Sequence, residues 1–139
     1  GAVALTSLGV EPDLYRCGVA VTPITDWIKV IDQRDLEPDA YEFLVDWVGD
    51  PATDGARLRA SSPLNQAPGI KAAVLLMHDK RDHDWYYNQT RAMHAALQKA
   101  GATVEFINTF DTEKYGYQRH ARWLSGIEDF LQRNLSASR

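Results

Sequence analysis

One short segment constrains the fold of this chain more than any other. Residues 72–77 are all apolar, the run ends at His78, and a charged stretch then reaches Asp82. An apolar run without polar alternation is typical of a parallel strand that helices cover on both faces. Active-site residues of open α/β sheets follow the carboxyl ends of such strands. The segment therefore predicts a buried strand that delivers Asp82 to an active site, although a solvated acid in a turn would fit the same pattern.

The composition and the net charge of the chain argue against several kinds of binding partner. The chain has 139 residues, a net charge of -4 and one cysteine, Cys17. This composition favours a single domain over residues 1–139, and the acidic balance argues against nucleic acid and anionic membrane surfaces. No apolar run approaches the roughly 18 residues that a membrane span needs. A lone cysteine excludes an internal disulfide and is compatible with a reducing compartment such as the cytoplasm, and the four histidines show no paired spacing that would predict a metal site. We expect no cofactor.

Helical and strand patterns alternate along the chain. The patterns predict strands at 15–21, 72–77 and 103–109, and helices at 1–8, within 26–48, at 87–100 and at 119–135. Strands separated by helices predict a three-layer α/β/α domain with a mostly parallel sheet. The last helix is expected to bury one side, formed by Trp123, Leu124, Ile127, Phe130 and Leu131. Residues 52–62 are the predicted flexible stretch, and Gly101 is the predicted end of a helix.

Six short motifs, taken in order, resemble the catalytic domain of the prolyl oligopeptidase family of serine peptidases. They are Gly1-Ala-Val-Ala-Leu5, Pro12-Asp-Leu-Tyr15, Thr25-Asp-Trp27, Ala60-Ser-Ser-Pro-Leu64, Leu75-Leu-Met-His78 with Asp82, and Ala96-Leu-Gln-Lys-Ala-Gly101. The resemblance implies a partial α/β-hydrolase fold, with the last three strands of that domain and their flanking helices. It also implies peptide or ester hydrolysis through an acyl-serine, with a triad in the order Ser, Asp, His and with Asp82 as the acid.

Two positions depart from the pattern of that family. Its nucleophile elbow reads Gly-x-Ser-x-Gly-Gly, and Gly1 matches the last glycine, so the resemblance places the serine upstream of residue 1. The family also has His-Gly-aromatic after its last strand, where this chain has Tyr115-Gly116-Tyr117. A phenol, with an ordinary pKa of about 10, is a poorer proton acceptor at neutral pH than an imidazole with one of about 6.5. We therefore expect no activity from this chain alone, and His120 is either a displaced base or a surface residue of the last helix.

Three further residues are candidates for a substrate pocket. Asp26 and Trp27 follow the first predicted strand, and Trp85 follows the acidic turn at Asp82. A helix cap at Asp26 and a core anchor at Trp27 would explain those two residues equally well.

The sequence leaves three classes of function open. The chain is the C-terminal part of a serine peptidase or esterase that an upstream half completes, with a peptide or ester as substrate. Alternatively, it is a non-catalytic relative that binds through its pocket or surface, as Tyr115 suggests, or a structural remnant that self-associates. The strand at 15–21 lacks the neighbour that it would have in the family's sheet, so we expect a homo-oligomer formed through this exposed edge.

Overall fold

A three-stranded parallel sheet organises the chain. The computed structural model describes residues 1–33, 37–108 and 116–136, and of residues 116–122 it describes the backbone alone. The elements are α1 (Ala2–Val10), β1 (Cys17–Val21), α2 (Trp27–Ile31), α3 (Pro38–Trp47), α4 (Pro51–Ser61), α5 (Pro63–Gln66), a 3-10 turn (Ala67–Gly69), β2 (Ala73–His78), α6 (Asp84–Lys99), β3 (Val104–Asn108) and α7 (Gly116–Leu135). No helix in these ranges is long and apolar enough to cross a bilayer.

Strand β2 lies at the centre of the sheet. It pairs in parallel with β1 on one side and with β3 on the other, and all six of its residues are buried. Each crossover between neighbouring strands contains at least one helix, as parallel pairing requires. The predicted parallel sheet is therefore confirmed.

Side chains of β2 alternate between two hydrophobic clusters. Val74 and Leu76 belong to the cluster that includes Met93 of α6, and α1 packs on this same face. Leu75 belongs to the opposite cluster, which includes Phe130 of α7. Because helices cover both faces, every position of the strand before His78 is apolar, and the predicted three-layer arrangement is confirmed.

The prediction of a flexible stretch at residues 52–62 is wrong, because this segment forms most of helix α4. The Asp50 side chain caps the helix by accepting the backbone N–H of Ala52 at 2.8 Å. Pro51 occupies the first helical position, where its fixed φ favours a helix and its missing N–H costs nothing. Leu58 is fully buried and anchors the helix to the core.

One member of the predicted buried face of α7 is also misplaced. Leu124 is 67% exposed, whereas Phe130 is fully buried against the sheet. Trp123, Ile127 and Leu131 are partly buried in the same cluster as Phe130. The side of α7 that faces the sheet is therefore narrower than expected.

Several element boundaries differ from the predicted ones. Strand β1 begins at Cys17, later than the predicted residue 15, and α6 begins at Asp84, earlier than residue 87. An acidic residue in the first turn favours a helix N-terminus, which explains the early start of α6. Gly101 ends α6 as predicted: its φ is 75°, and Ala102 donates its N–H to Leu97 O at 3.0 Å in a Schellman-type closure.

Candidate active site

The turn after β2 presents the predicted acid, Asp82. The backbone N–H of Asp82 donates to Asp79 O at 3.0 Å, and Asp79 Oδ1 accepts the backbone N–H of Arg81 at 2.9 Å. The Arg81 guanidinium also donates to Asp79 Oδ2 at 2.7 Å, and this side-chain hydrogen bond raises the pKa of Arg81 above its ordinary value. Asp79 therefore organises the turn and leaves the carboxylate of Asp82 available for other partners.

Two polar contacts hold the Asp82 carboxylate. Its Oδ2 lies 3.0 Å from Nε2 of His78, and its Oδ1 accepts the backbone N–H of His83 at 2.8 Å. The Asp82 side chain is 35% exposed, so one part of the carboxylate still faces solvent. Asp82 is thus an oriented, half-buried acid and not a freely solvated one.

His78, the last residue of β2, is fully buried beneath this carboxylate. Its Nδ1 lies 2.6 Å from Oγ1 of Thr90, which is also fully buried. The ring of Tyr87 meets the imidazole edge-on, with centroids 5.6 Å apart and an interplanar angle of 87°. These contacts leave the imidazole little freedom to rotate.

The carboxyl end of β3 lies beside the same turn. Asn108 pairs with His78 across the sheet, and its Oδ1 accepts the backbone N–H of Lys80 at 3.3 Å. Tyr115, the residue at the family's histidine position, lies outside the described residues, so its placement near Asp82 stays a prediction. His120 falls within the backbone of α7, and its side chain lies outside the described part as well.

A groove of about 290 Å³ opens between α2 and α6. Asp26 and Trp85, two of the three predicted pocket residues, line it together with Lys29, Gln33 and Asn88. This groove brings together side chains that are far apart in the sequence, and its walls combine an aromatic surface with charged and amide groups.

Asp26 has a structural role as well. Its Oδ1 accepts the backbone N–H of Lys29 at 3.2 Å and caps α2, as the helix-cap alternative predicted. Trp27 is half-buried and does not line the groove; its backbone N–H donates to Ser62 Oγ at 3.0 Å. Substrate contacts of Asp26, Trp27 and Trp85 stay predictions.

Gln89 fixes the wall of the groove and was not among the residues predicted from the sequence. Its Oε1 accepts the backbone N–H groups of Thr25 at 3.0 Å and Asp26 at 2.8 Å. The Thr25 hydroxyl lies 2.9 Å from the same oxygen. One signal was present, since Gln89 precedes Met93 by one helical turn and therefore shares its buried face.

Metal ligands are not gathered anywhere in the described ranges. Across residues 1–33, 37–108 and the described side chains of α7, no group of three or more His, Cys, Asp or Glu residues is placed to hold an ion. The functional group that the turn after β2 offers is therefore the oriented carboxylate of Asp82.

Comparison with known proteins decides the family. The model of the prolyl oligopeptidase family matches residues 1–138. The chain belongs to the prolyl oligopeptidase family. The motifs of the sequence, and the position of Asp82 just after a parallel strand, agree with this assignment.

Solved structures of peptidases share the fold. Acylaminoacyl peptidase from Pyrococcus horikoshii superposes with a TM-score of 0.77 at 22% identity, over 99% of this chain and 22% of that one. Dipeptidyl peptidase 4 from Porphyromonas gingivalis gives 0.73 at 21% identity, over 96% of this chain and 18% of that one. The chain thus spans about a fifth of the length of these proteins, and the implied partial α/β-hydrolase fold is confirmed.

Proposed function

We propose that this chain supplies the acid of a serine-peptidase triad, Asp82, together with one wall of a substrate groove, for hydrolysis of peptide or ester bonds through an acyl-serine. The observation that carries the proposal is the carboxylate of Asp82, held by His78 and by the His83 N–H at the carboxyl end of β2. Family membership supports the same role.

A triad acid orients the catalytic base and stabilises the cation that forms on it. Each oxygen of an ionised carboxylate can accept about two hydrogen bonds. His78 and the His83 N–H each occupy one such position on Asp82, and the 35% exposure of the side chain leaves room for a base. Asp82 can therefore accept an N–H from a base without losing the contacts that orient it.

The groove is suited to a peptide side chain. Trp85 follows Asp82 by less than one helical turn, so the groove begins next to the turn that carries the acid. Trp85 offers an apolar surface, while Asp26 and Asn88 offer polar groups for orienting a ligand. We propose that this groove contributes to substrate binding when the rest of the catalytic machinery is present.

The polypeptide of residues 1–139 is proposed to be inactive by itself. Its sequence contains no Gly-x-Ser-x-Gly, and without that serine no acyl-enzyme forms. Tyr115 at the base position would also leave a serine unactivated. A serine-directed phosphonate probe should not label the chain, and stoichiometric labelling would refute this part of the proposal.

An extended version tests the acid. The chain is joined to an upstream segment that carries a Gly-x-Ser-x-Gly-Gly elbow, and turnover of an activated ester is measured. Tyr115→His should raise turnover by about 100-fold or more, the usual contribution of a general base, whereas Tyr115→Phe should not. Adding Asp82→Asn to Tyr115→His should remove most of the gain. A gain that survives Asp82→Asn would show that Asp82 is not the triad acid.

A second candidate role, self-association, is favoured by strand β1. This strand pairs with β2 on one side only, and no other described strand covers its second edge. Thr22 donates its N–H to Met77, and Arg16 O accepts the N–H of Ala73, so by alternation Cys17, Val19 and Val21 direct their backbone groups to the open edge. An open edge of this kind can pair with a second copy of the chain.

Light scattering tests the association directly. The chain should be at least dimeric at micromolar concentration, and Val19→Pro should lower the mass because it removes an N–H that points to the open edge. Val19→Thr, which keeps the N–H and the side-chain shape, is the matched control. A folded monomer for the unmodified chain would end this proposal.

A further inference from the structure

Thr90, His78 and Asp82 form a hydrogen-bonded chain that runs from the core to the carboxylate. The Oγ1 of Thr90 lies 2.6 Å from His78 Nδ1, and His78 Nε2 lies 3.0 Å from Asp82 Oδ2. Thr90 and His78 are both fully buried, whereas Asp82 is partly exposed. The proposed function gives a catalytic role only to the last of these three residues.

The chemistry of the three groups fixes the direction of the protons. An ionised carboxylate only accepts hydrogen bonds, so Nε2 of His78 must carry the hydrogen that faces Asp82. A neutral imidazole has one N–H, which leaves Nδ1 as an acceptor, and the Thr90 hydroxyl must then donate to it. A fully buried ring has no water with which to satisfy a nitrogen, so the Thr90 hydroxyl is the donor on which this tautomer depends.

The arrangement also fixes the ring in space. His78 is held by the sheet at the end of β2, and Thr90 and Tyr87 contact it from α6. Asp82 lies in a turn, where its side chain would otherwise choose among several rotamers. The hydrogen bond from His78 selects one of them and places the second oxygen within reach of the His83 N–H.

We propose that His78 is a positioning residue for Asp82 and that Thr90 selects the tautomer in which His78 does so. The catalytic meaning of this positioning rests on the proposed role of Asp82 as the triad acid. The hydrogen-bonded chain itself does not depend on that role, and it is measurable in the polypeptide of residues 1–139.

The first measurement is the tautomer. Nitrogen NMR of the chain labelled at histidine, near pH 7, should show His78 with a protonated Nε2 and an unprotonated Nδ1. A ring protonated at Nδ1 alone, or at both nitrogens, would overturn the proposal, because Thr90 would then be an acceptor and could not select the tautomer.

The second measurement compares Thr90→Val with Thr90→Ser. Valine keeps the shape of threonine without the hydroxyl, and serine keeps the hydroxyl. The readout is hydrogen exchange at the backbone N–H of His83, which donates to Asp82. Thr90→Val should accelerate this exchange about tenfold or more, because the free energy of a hydrogen bond to a charged group corresponds to at least that factor. Thr90→Ser should return the exchange rate to that of the unmodified chain.

Exchange at Leu76, in the centre of β2, separates positioning from general loosening. Acceleration at His83 with unchanged protection at Leu76 supports the proposal. Equal acceleration at both sites, or none at His83, overturns it. A second pair of variants gives an independent reading: His78→Gln, which can still donate to Asp82, should preserve the protection of His83, whereas His78→Leu should lose it.

Kinetics in the extended version with Tyr115→His connect positioning to catalysis. Thr90→Val should lower kcat about tenfold with little change in KM, and Thr90→Ser should recover it, because positioning of the acid affects the transition state and not substrate binding. If Asp82→Asn leaves turnover unchanged while the tautomer is as expected, the proposed function fails and the hydrogen-bonded chain stands. If Asp82→Asn abolishes turnover but the tautomer of His78 is not the expected one, the positioning role fails and the proposed function stands.

Discussion

Gln89→Ala is expected to destabilise the protein severely, because this side chain holds the loop before α2. Its Oε1 accepts the backbone N–H groups of Thr25 and Asp26 and approaches the Thr25 hydroxyl. Gln89 is only 6% exposed and Thr25 is not exposed at all. Truncation to alanine removes the acceptor and leaves two backbone donors without a partner.

The magnitude follows from these two donors. A buried donor left unsatisfied costs about 1–3 kcal/mol. The Thr25 N–H should lie near the upper end of that range and the partly buried Asp26 N–H near the lower end, which gives a loss of about 4 kcal/mol in the free energy of unfolding. With a urea m-value of about 1–3 kcal/mol/M, the midpoint should fall by about 1–4 M.

Urea unfolding followed by tryptophan fluorescence measures this loss. Asn88→Ala, at the exposed neighbouring position, is the matched control and should change stability by less than about 0.5 kcal/mol. Gln89→Glu keeps an acceptor oxygen and should be intermediate. A Gln89→Ala midpoint equal to that of Asn88→Ala would refute the reasoning, because it would mean that the donors find other partners at no cost.

Three further substitutions should each change the stability of the protein for one structural reason. Gly101→Ala should cost about 1 kcal/mol in thermal or urea unfolding, because φ is 75° there and no neighbouring atom adds a clash; a larger loss would point to an unrecognised contact. Phe130→Ala should lower the free energy of unfolding by about 3–5 kcal/mol, because the ring is fully buried between α7 and the sheet. A smaller loss in urea unfolding would mean that α7 is loosely packed. Arg133→Ala should change stability by no more than about 1 kcal/mol, because its ion pair with Glu105 at 2.8 Å is exposed to solvent; the double-mutant cycle with Glu105→Ala checks this.

The centre of the fold was predictable from the sequence because its signal is local. A strand buried on both faces favours apolar side chains at successive positions, so the apolar run at residues 72–77 identified β2 directly. Gly101 likewise identified the end of α6, because glycine adopts the required positive φ at low cost. In contrast, α4 was missed because a proline, a threonine and a glycine near its start have low helix propensity, and its capping by Asp50 and the burial of Leu58 outweigh them.

The site was predictable only in part, for a related reason. The position of Asp82 after β2 was predictable because polar site residues follow the carboxyl ends of such strands, and the positions of Asp26 and Trp85 beside a groove were predictable because they follow strand and turn signals. Their functional roles stay predictions. The partners of Asp82 in the core and the role of Gln89 depend on which residues α6 brings against the sheet. That pairing is set by tertiary packing and has no local pattern in the sequence.

The register of β2 determines the orientation of the Asp82 side chain, because His78 of this strand holds its carboxylate. Successive side chains of the strand alternate between the two faces, so His78 points towards α6 in the same set as Leu76 and Val74. A slip of one residue would turn the imidazole towards α7 and put the thioether of Met77 under Thr90. Substitutions anywhere in the interior that permit even a small population of the slipped pairing would thus misdirect the carboxylate, and damage at this end of the sheet could originate from residues that never approach it.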